Sequence, residues 1–191
     1  MFEKFNQIGD DIYVYKNFVS QEDCKKVFNY LDNLEESEWN LPNEFFINVS
    51  KITKPLDLIV PIREKIKNIL PKNIFLGEGT SAARMLKTNE WGVHADVHDF
   101  DDIEKQNDLY VDGDLYREAD LSIYGTVVYF NNFEGGEIFY PFQNIIYKPN
   151  PGDLIIHGSG KLTSHGVKKV LSEKRYSYSN HIYKKVKIPI K

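Results

Sequence analysis

The chain has 191 residues, 41% of them apolar and 14% aromatic, which is enough to bury one proper core and too few to suggest a second. A formal charge of −4 and a pI near 5.8 lack the basic surplus of a general nucleic-acid binder, so nucleic acid is not the expected partner. Cys24 is the sole cysteine, which rules out an intramolecular disulfide and a thiolate metal cluster and leaves His and carboxylate to hold any metal. The opening Met1-Phe2-Glu3-Lys4 carries no apolar run of signal-peptide length, and no stretch approaches the roughly 20 apolar residues of a membrane span. The expectation is a cytoplasmic protein with no membrane partner.

In chain order, Ile12-Tyr13-Val14-Tyr15 within Asp11 to Phe18 predicts a first strand. Ser20 then offers an N-cap with Asp23 at the third helical position, and Cys24, Val27, Phe28 and Leu31 follow at the spacing of one buried helical stripe. A second helix is expected between Pro55 and Leu70, where Ile59, Ile62, Ile66 and Ile69 share a face; Thr53 offers a cap, and Pro61 marks either a weak point or the first turn of a shorter helix. From about Asn73 the character changes to β-branched and aromatic runs between Gly/Pro/Asn turns. Strands are predicted at Ala82–Leu86, Trp91–Val97, Ser122–Asn131, Glu137–Tyr140, Ile145–Tyr147, Asp153–His157, Thr163–Lys168 and Arg175–Tyr183. Eight short antiparallel strands behind two helices predict a mainly β (α+β) fold, a double-sheet jelly roll with the helices packed on one face.

One segment departs from this pattern. Asp99 to Asp120 carries nine acidic residues against two basic ones, Lys105 and Arg117, while the rest of the chain is net basic. Such a run is most often a solvated, mobile loop. Its functional reading is recruitment of a basic peptide or a cationic small substrate.

Along Val93-His94-Ala95-Asp96-Val97 an extended backbone turns His94 and Asp96 to one face, with His98 on that face as a rival ligand. A His-x-Asp triplet is common by chance, but a third donor stands in Thr163-Ser164-His165-Gly166-Val167. Two histidines and one carboxylate on one side of a metal suit Fe(II) and leave three positions open for a 2-oxo acid and O2. A structural zinc site would close the shell with a fourth protein ligand. Ten residues beyond His165, Arg175 has the planar fork that matches the distal carboxylate of 2-oxoglutarate; Lys174, one residue away, would face the opposite side of a strand.

The sequence resembles the prolyl 4-hydroxylase-like branch of the 2-oxoglutarate/Fe(II)-dependent dioxygenases. The resemblance rests, in order, on His94-Ala95-Asp96, Val127-Val128-Tyr129-Phe130-Asn131, Glu134-Gly135-Gly136-Glu137-Ile138-Phe139, Pro151-Gly152-Asp153, His165 and Arg175-Tyr176-Ser177, and on an opening strand and helix through Cys24. It implies a double-stranded β-helix with Fe(II) on His94, Asp96 and His165. It also implies 2-oxoglutarate on Arg175, assisted by the hydroxyls of Tyr129 and Ser179, with O2 as oxidant and ascorbate as an accessory reductant. The implied layout is one dioxygenase domain over residues 1–191, with 1–72 a helical support region and 73–191 the catalytic jelly roll. The implied reaction is hydroxylation of an unactivated C–H bond, foremost in a prolyl residue of a peptide or protein, with release of succinate and CO2. Such proteins often carry a tyrosine about nine residues before the first His, where this chain has Met85, with Arg84 and Lys87 nearby.

Rival readings stand beside these. Taken alone, Tyr129 is a core aromatic, Trp91 a packing residue, Gly135-Gly136 a hairpin turn needing positive φ, and His157 and His181 structural. A free amino acid or other small molecule is the alternative substrate, and nucleobase demethylation fits an acidic chain poorly. A non-catalytic cupin-like metal-binding jelly roll is the alternative class, though it leaves Arg175 without a purpose. An interaction module without catalysis would be expected to have lost a ligand of the triad.

Overall fold

A computed structural model of the chain describes residues 5–40, 50–52, 56–79, 82–96, 106–111 and 114–189. The elements are β1 (Asn6–Gly9), β2 (Ile12–Tyr15), α1 (Gln21–Asp32), β3 (Trp39–Asn40), β4 (Ser50–Ile52), α2 (Val60–Lys67), β5 (Phe75–Leu76), β6 (Ala82–Leu86) and β7 (Trp91–His94). They continue as β8 (Gln106–Val111), β9 (Asp114–Tyr129), β10 (Ile138–Tyr140), β11 (Ile145–Tyr147), β12 (Leu154–Gly158), β13 (His165–Val167) and β14 (Lys174–Pro189).

Both helices form where the apolar stripes predict. Ser20 caps α1 by accepting from the Asp23 amide at 3.1 Å, and Cys24, Val27 and Leu31 are buried while Phe28 is half-buried. The second helix takes its shorter form. A 3-10 turn over Asp57–Ile59 leads into α2 with Pro61 in its first turn, where a missing amide costs no intrahelical bond. Thr53 and Pro55 lie outside the described residues.

Among the described residues the strands pair antiparallel into two sheets. The larger runs β1-β2-β12-β9-β14-β6-β4-β3, with β5 on β14 and β8 on β9; the smaller runs β11-β10-β13-β7. Facing sheets of this kind make the jelly roll that the strand pattern predicts. The first 72 residues are more than a helical support, since β1 to β4 all join the larger sheet. Gly135 and Gly136 do adopt φ of +64° and +62°. They do not close a hairpin, because β9 before them and β10 after them belong to different sheets.

Inside the larger sheet, side-chain alternation separates two cores. Leu154 and Ile156 of β12, Val128 of β9, and Tyr176 and Tyr178 of β14 pack with Cys24, Val27, Leu31, Ile59, Ile62 and Ile66 of the helical layer. Ile155 and Tyr129 belong to a second cluster with Ile138 and Tyr140 of the smaller sheet. The unbroken run Leu154-Ile155-Ile156 is what a strand covered on both faces requires. Asp153, 1% exposed, locks the turn before β12 by accepting from the amides of Asn17 (3.2 Å) and Asn150 (3.0 Å) and the hydroxyl of Tyr147 (2.8 Å). The carboxylate thereby meets the hydrogen-bonding demand of its burial, which fits an Asp in the Pro-Gly-Asp turn.

The acidic insertion is not wholly a loop. Its described part pairs β8 with β9 from Gln106↔Ala119 to Val111↔Asp114. The other edge of β9 pairs with β14, whose register sets Lys185 opposite Asp120 and Lys187 opposite Glu118. The C-terminal lysines thus stand, by register, across from part of the insertion's acid. Val97 and His98 lie outside the described residues. No described helix is long and apolar enough to cross a membrane, which says nothing of β-barrels.

Candidate active site

The larger and smaller sheets meet over the residues that the sequence singles out. β13 pairs with β7 in a register that puts His165 directly opposite His94, and the ring centroids are 4.6 Å apart. The strand pattern of β7 ends at His94, two residues earlier than the alternation needed to place Asp96. Asp96 nonetheless turns back to the same spot, with Oδ1 3.9 Å from Nε2 of His94. One ligand atom from each of His94, Asp96 and His165 lies within 4.8 Å of the other two, and the described residues contain no other such group of metal-ligating side chains.

The tautomers suit a metal. Nδ1 of His94 lies 3.0 Å from the carbonyl of Gly92, and Nδ1 of His165 lies 3.3 Å from that of Thr163. Each carbonyl can only accept, so each Nδ1 carries the proton and each Nε2 presents its lone pair. Burial pushes His165 well below the ordinary histidine range, so its imidazole is neutral and needs no deprotonation before it ligates. Trp91 stacks on His94 at 4.9 Å and 18°, fixing that ring from outside. This donor set, two imidazoles and a carboxylate, fits a divalent ion such as Fe(II).

Arg175 opens the second half of the site. It is 4% exposed on β14, and its hydrogen bond among the described residues runs from Nη1 to the sulfur of Met85 at 3.4 Å. Nε has no partner. The guanidinium lies over the rings of Tyr129 at 4.9 Å and Phe133 at 5.4 Å, contacts that soften its burial without neutralising it. Burial pushes its pKa below the ordinary value, and the adjacent Tyr129 phenol opposes that shift. The hydroxyls of Tyr129 and Tyr140 are also buried without partners, and burial keeps both phenols protonated. A buried cation beside the orphaned hydroxyl of Tyr129, both lining one cavity, calls for an anionic oxygen ligand, so the residues present also fit 2-oxoglutarate. Lys174 faces away, paired at 2.7 Å with Asp32 at the end of α1, as alternation along the strand predicts.

One cavity of about 260 Å³ joins these parts, a small volume for a ligand pocket. His94, Asp96, His165, Arg175, Tyr129 and Ser179 all line it. So do His157 and His181, which the sequence reading treats as structural, and Trp91, which it treats as packing. His157 follows Ile155 on the inward face of β12, a signal present in the sequence but not interpretable until its strand partner is known. Tyr140 escaped sequence reasoning because an aromatic ending a short apolar strand looks like core.

Burial pushes the pKa of His157 down to about 4. The folded state therefore refuses a proton that the unfolded chain accepts near pH 6.5. This contribution to stability is complete above that pH and is lost on acidification, by roughly 3 kcal/mol at pH 4. His165 shifts in the same direction. The urea midpoint of metal-free protein is expected to fall steadily from pH 6.5 to 4, and less steeply in His157→Phe. Equal slopes in the two proteins would show that His157 is not the titrating group.

The fold and this cavity together define a class: a jelly roll whose two sheets enclose a His/Asp/His cluster and a buried arginine. Solved structures place that fold among prolyl 4-hydroxylases and 2-oxoglutarate/Fe(II) oxygenases. A viral collagen prolyl hydroxylase from Paramecium Bursaria Chlorella virus-1, solved with 2-oxoglutarate, superposes with a TM-score of 0.66 at 19% identity, covering 92% of this chain and 97% of that one. A prolyl hydroxylase from Trichoplax adhaerens, bound to a hypoxia-inducible-factor peptide fragment, gives 0.67 at 13% identity, with 91% and 84% covered. HygX from Streptomyces hygroscopicus, with nickel, 2-oxoglutarate and hygromycin B bound, gives 0.57 at 13% identity, with 96% and 84% covered. No protein-family model matches the chain, and no curated protein does. The resemblance read from sequence is thus borne out in the fold.

Proposed function

We propose that this protein is a 2-oxoglutarate- and Fe(II)-dependent dioxygenase hydroxylating an unactivated C–H bond, foremost in a prolyl residue of a peptide or protein. The observation that carries the reading is Arg175, a buried cation without an anionic partner in the same cavity as His94, Asp96 and His165. A cupin-like metal-binding protein would have no use for it. Fe(II) on the triad, with 2-oxoglutarate and O2, would supply the oxidising chemistry and release succinate and CO2.

The chain's own residues bind and orient. Nε2 of His94 and His165 and the Asp96 carboxylate would hold the metal from one side, leaving the cavity side open. Arg175 would take the distal carboxylate of 2-oxoglutarate in a forked pair, and the Tyr129 hydroxyl would donate to it; Ser179 lines the same wall. Met85 stands where the resemblance would put a further tyrosine, and its sulfur accepts from Nη1 of Arg175. Val127, Ile138 and Val167 complete an apolar lining that excludes water from the reacting groups. The prolyl substrate draws its support from the resemblance and from the prolyl hydroxylases that share the fold. HygX, with its bound aminoglycoside, keeps a small-molecule substrate as the second reading.

The test is anaerobic addition of 2-oxoglutarate to the Fe(II) protein, followed by exposure to O2 with substrates. A visible charge-transfer band, then succinate release stimulated by proline-rich peptides above free amino acids, is the expected result. Stimulation by small molecules alone would move the substrate to the second reading, and no band in protein that binds Fe(II) would end the oxygenase reading.

A further inference from the structure

His157 sits against the metal cluster without belonging to it. It is 1% exposed, its ring centroid is 4.1 Å from that of His165, and the planes meet at 61°. Its Nδ1 lies 3.8 Å from Oδ2 of Asp96, the oxygen other than the one nearest His94. The same nitrogen lies 3.3 Å from the carbonyl of Gly158. The Gly158 carbonyl can only accept, so Nδ1 carries the proton and presents a positive N–H on the side of the ring near Asp96. Tyr140 closes the far side, 5.8 Å from each of the His157 and His165 rings.

A gap in the sheet makes this approach possible. Gly125 of β9 is the cross-strand partner of His157. A Cβ built there would collide with Oδ2 of Asp96 and come within 2.7 Å of the His157 ring. Glycine in the middle of a long strand weakens it and commonly marks a place where other groups must come close. Here the groups are a ligating carboxylate and a buried imidazole. An inward position beside Ile155 could have carried any apolar side chain; a polar ring at this depth is retained against the cost of burying it.

We infer that His157 is a positioning residue for the metal centre, its protonated Nδ1 standing 3.8 Å from the Asp96 oxygen other than the one nearest His94 and holding that carboxylate electrostatically to ligate through Oδ1. The inference rests on the proposed metal site and assigns His157 no direct bond to the ion. Partners of this kind orient ligands, and their loss typically weakens metal binding by about 10- to 100-fold.

The test titrates metal-free protein with Co(II), reading both the dissociation constant and the d–d spectrum in wild type, His157→Phe and His157→Asn. Phenylalanine keeps a ring against His165 and removes only the donor, whereas the asparagine amide restores an N–H near Nδ1. Expected are affinity about 10- to 100-fold weaker for His157→Phe, recovery toward wild type for His157→Asn, and the same coordination number in all three spectra. If His157→Phe does not fold, His157→Leu replaces it under the same criteria. Equal Co(II) affinity in wild type and the donor-less variant overturns the inference while leaving the metal site standing. A lower coordination number without His157 overturns it too, making that residue a ligand. Failure of wild type itself to bind Co(II) overturns instead the metal reading beneath it.

Discussion

His165→Ala is expected to weaken Fe(II) or Co(II) binding by more than about a hundredfold, beyond the loss typical of an outer partner, with no succinate formed at any 2-oxoglutarate concentration. Three donors converge on one point, and His165 is the one delivered from a different strand of the smaller sheet. Its removal leaves His94 and Asp96, two donors separated by one residue, which is the weak half of the site. The substitution tests ligation more cleanly than one at Asp96, because the Asp96 carboxylate also sits against His157 and Gly125. Circular dichroism of the metal-free variant should match wild type, since the ring occupies a cavity wall rather than the helix-facing core. Undiminished metal binding would detach His165 from the site and remove the facial triad with it.

How legible that site was in the sequence depends on the range of the signal involved. His94 and Asp96 are adjacent enough for strand periodicity to suggest a common face, although β7 stops at His94 and a bend completes the placement. The pairing of His94 with His165 is a register, set by contacts far apart in the chain, and only the resemblance could supply it. α1 was legible from its cap and buried stripe and α2 from its stripe, because such signals are local. β3 and β5, two residues each, are too short to show alternation, and β8, which holds only one acidic residue, Asp108, was hidden by the acidic run that surrounds it. β9 and β14, each 16 residues long, run well past the apolar segments that announced them, because each continues on the other as partner. His157 marks the limit most clearly. Its chemistry follows from standing opposite a glycine beside a carboxylate, and neither neighbour is near it in sequence.

Arg175→Met is expected to separate binding from stability in opposite directions. Losing a buried charge's partner at an interface costs about 2–5 kcal/mol, so half-saturation by 2-oxoglutarate should require roughly 30- to several-thousand-fold more of it. The ligand-free fold should meanwhile gain in urea midpoint. In that state the guanidinium is buried with an unpartnered Nε and a thioether for an acceptor, while burial disfavours its charged form. A methionine there would pack beside Met85, Tyr129 and Phe133 without a charge to desolvate. Arg175→Lys should fall between, keeping the charge but losing the fork that grips both oxygens of a carboxylate. If Arg175 served the fold instead, Arg175→Met would lower the urea midpoint, and any loss of 2-oxoglutarate binding would track the loss of folded protein. A more stable protein that no longer holds 2-oxoglutarate would mean that the arginine is kept, at a cost to the empty fold, for the ligand it grips.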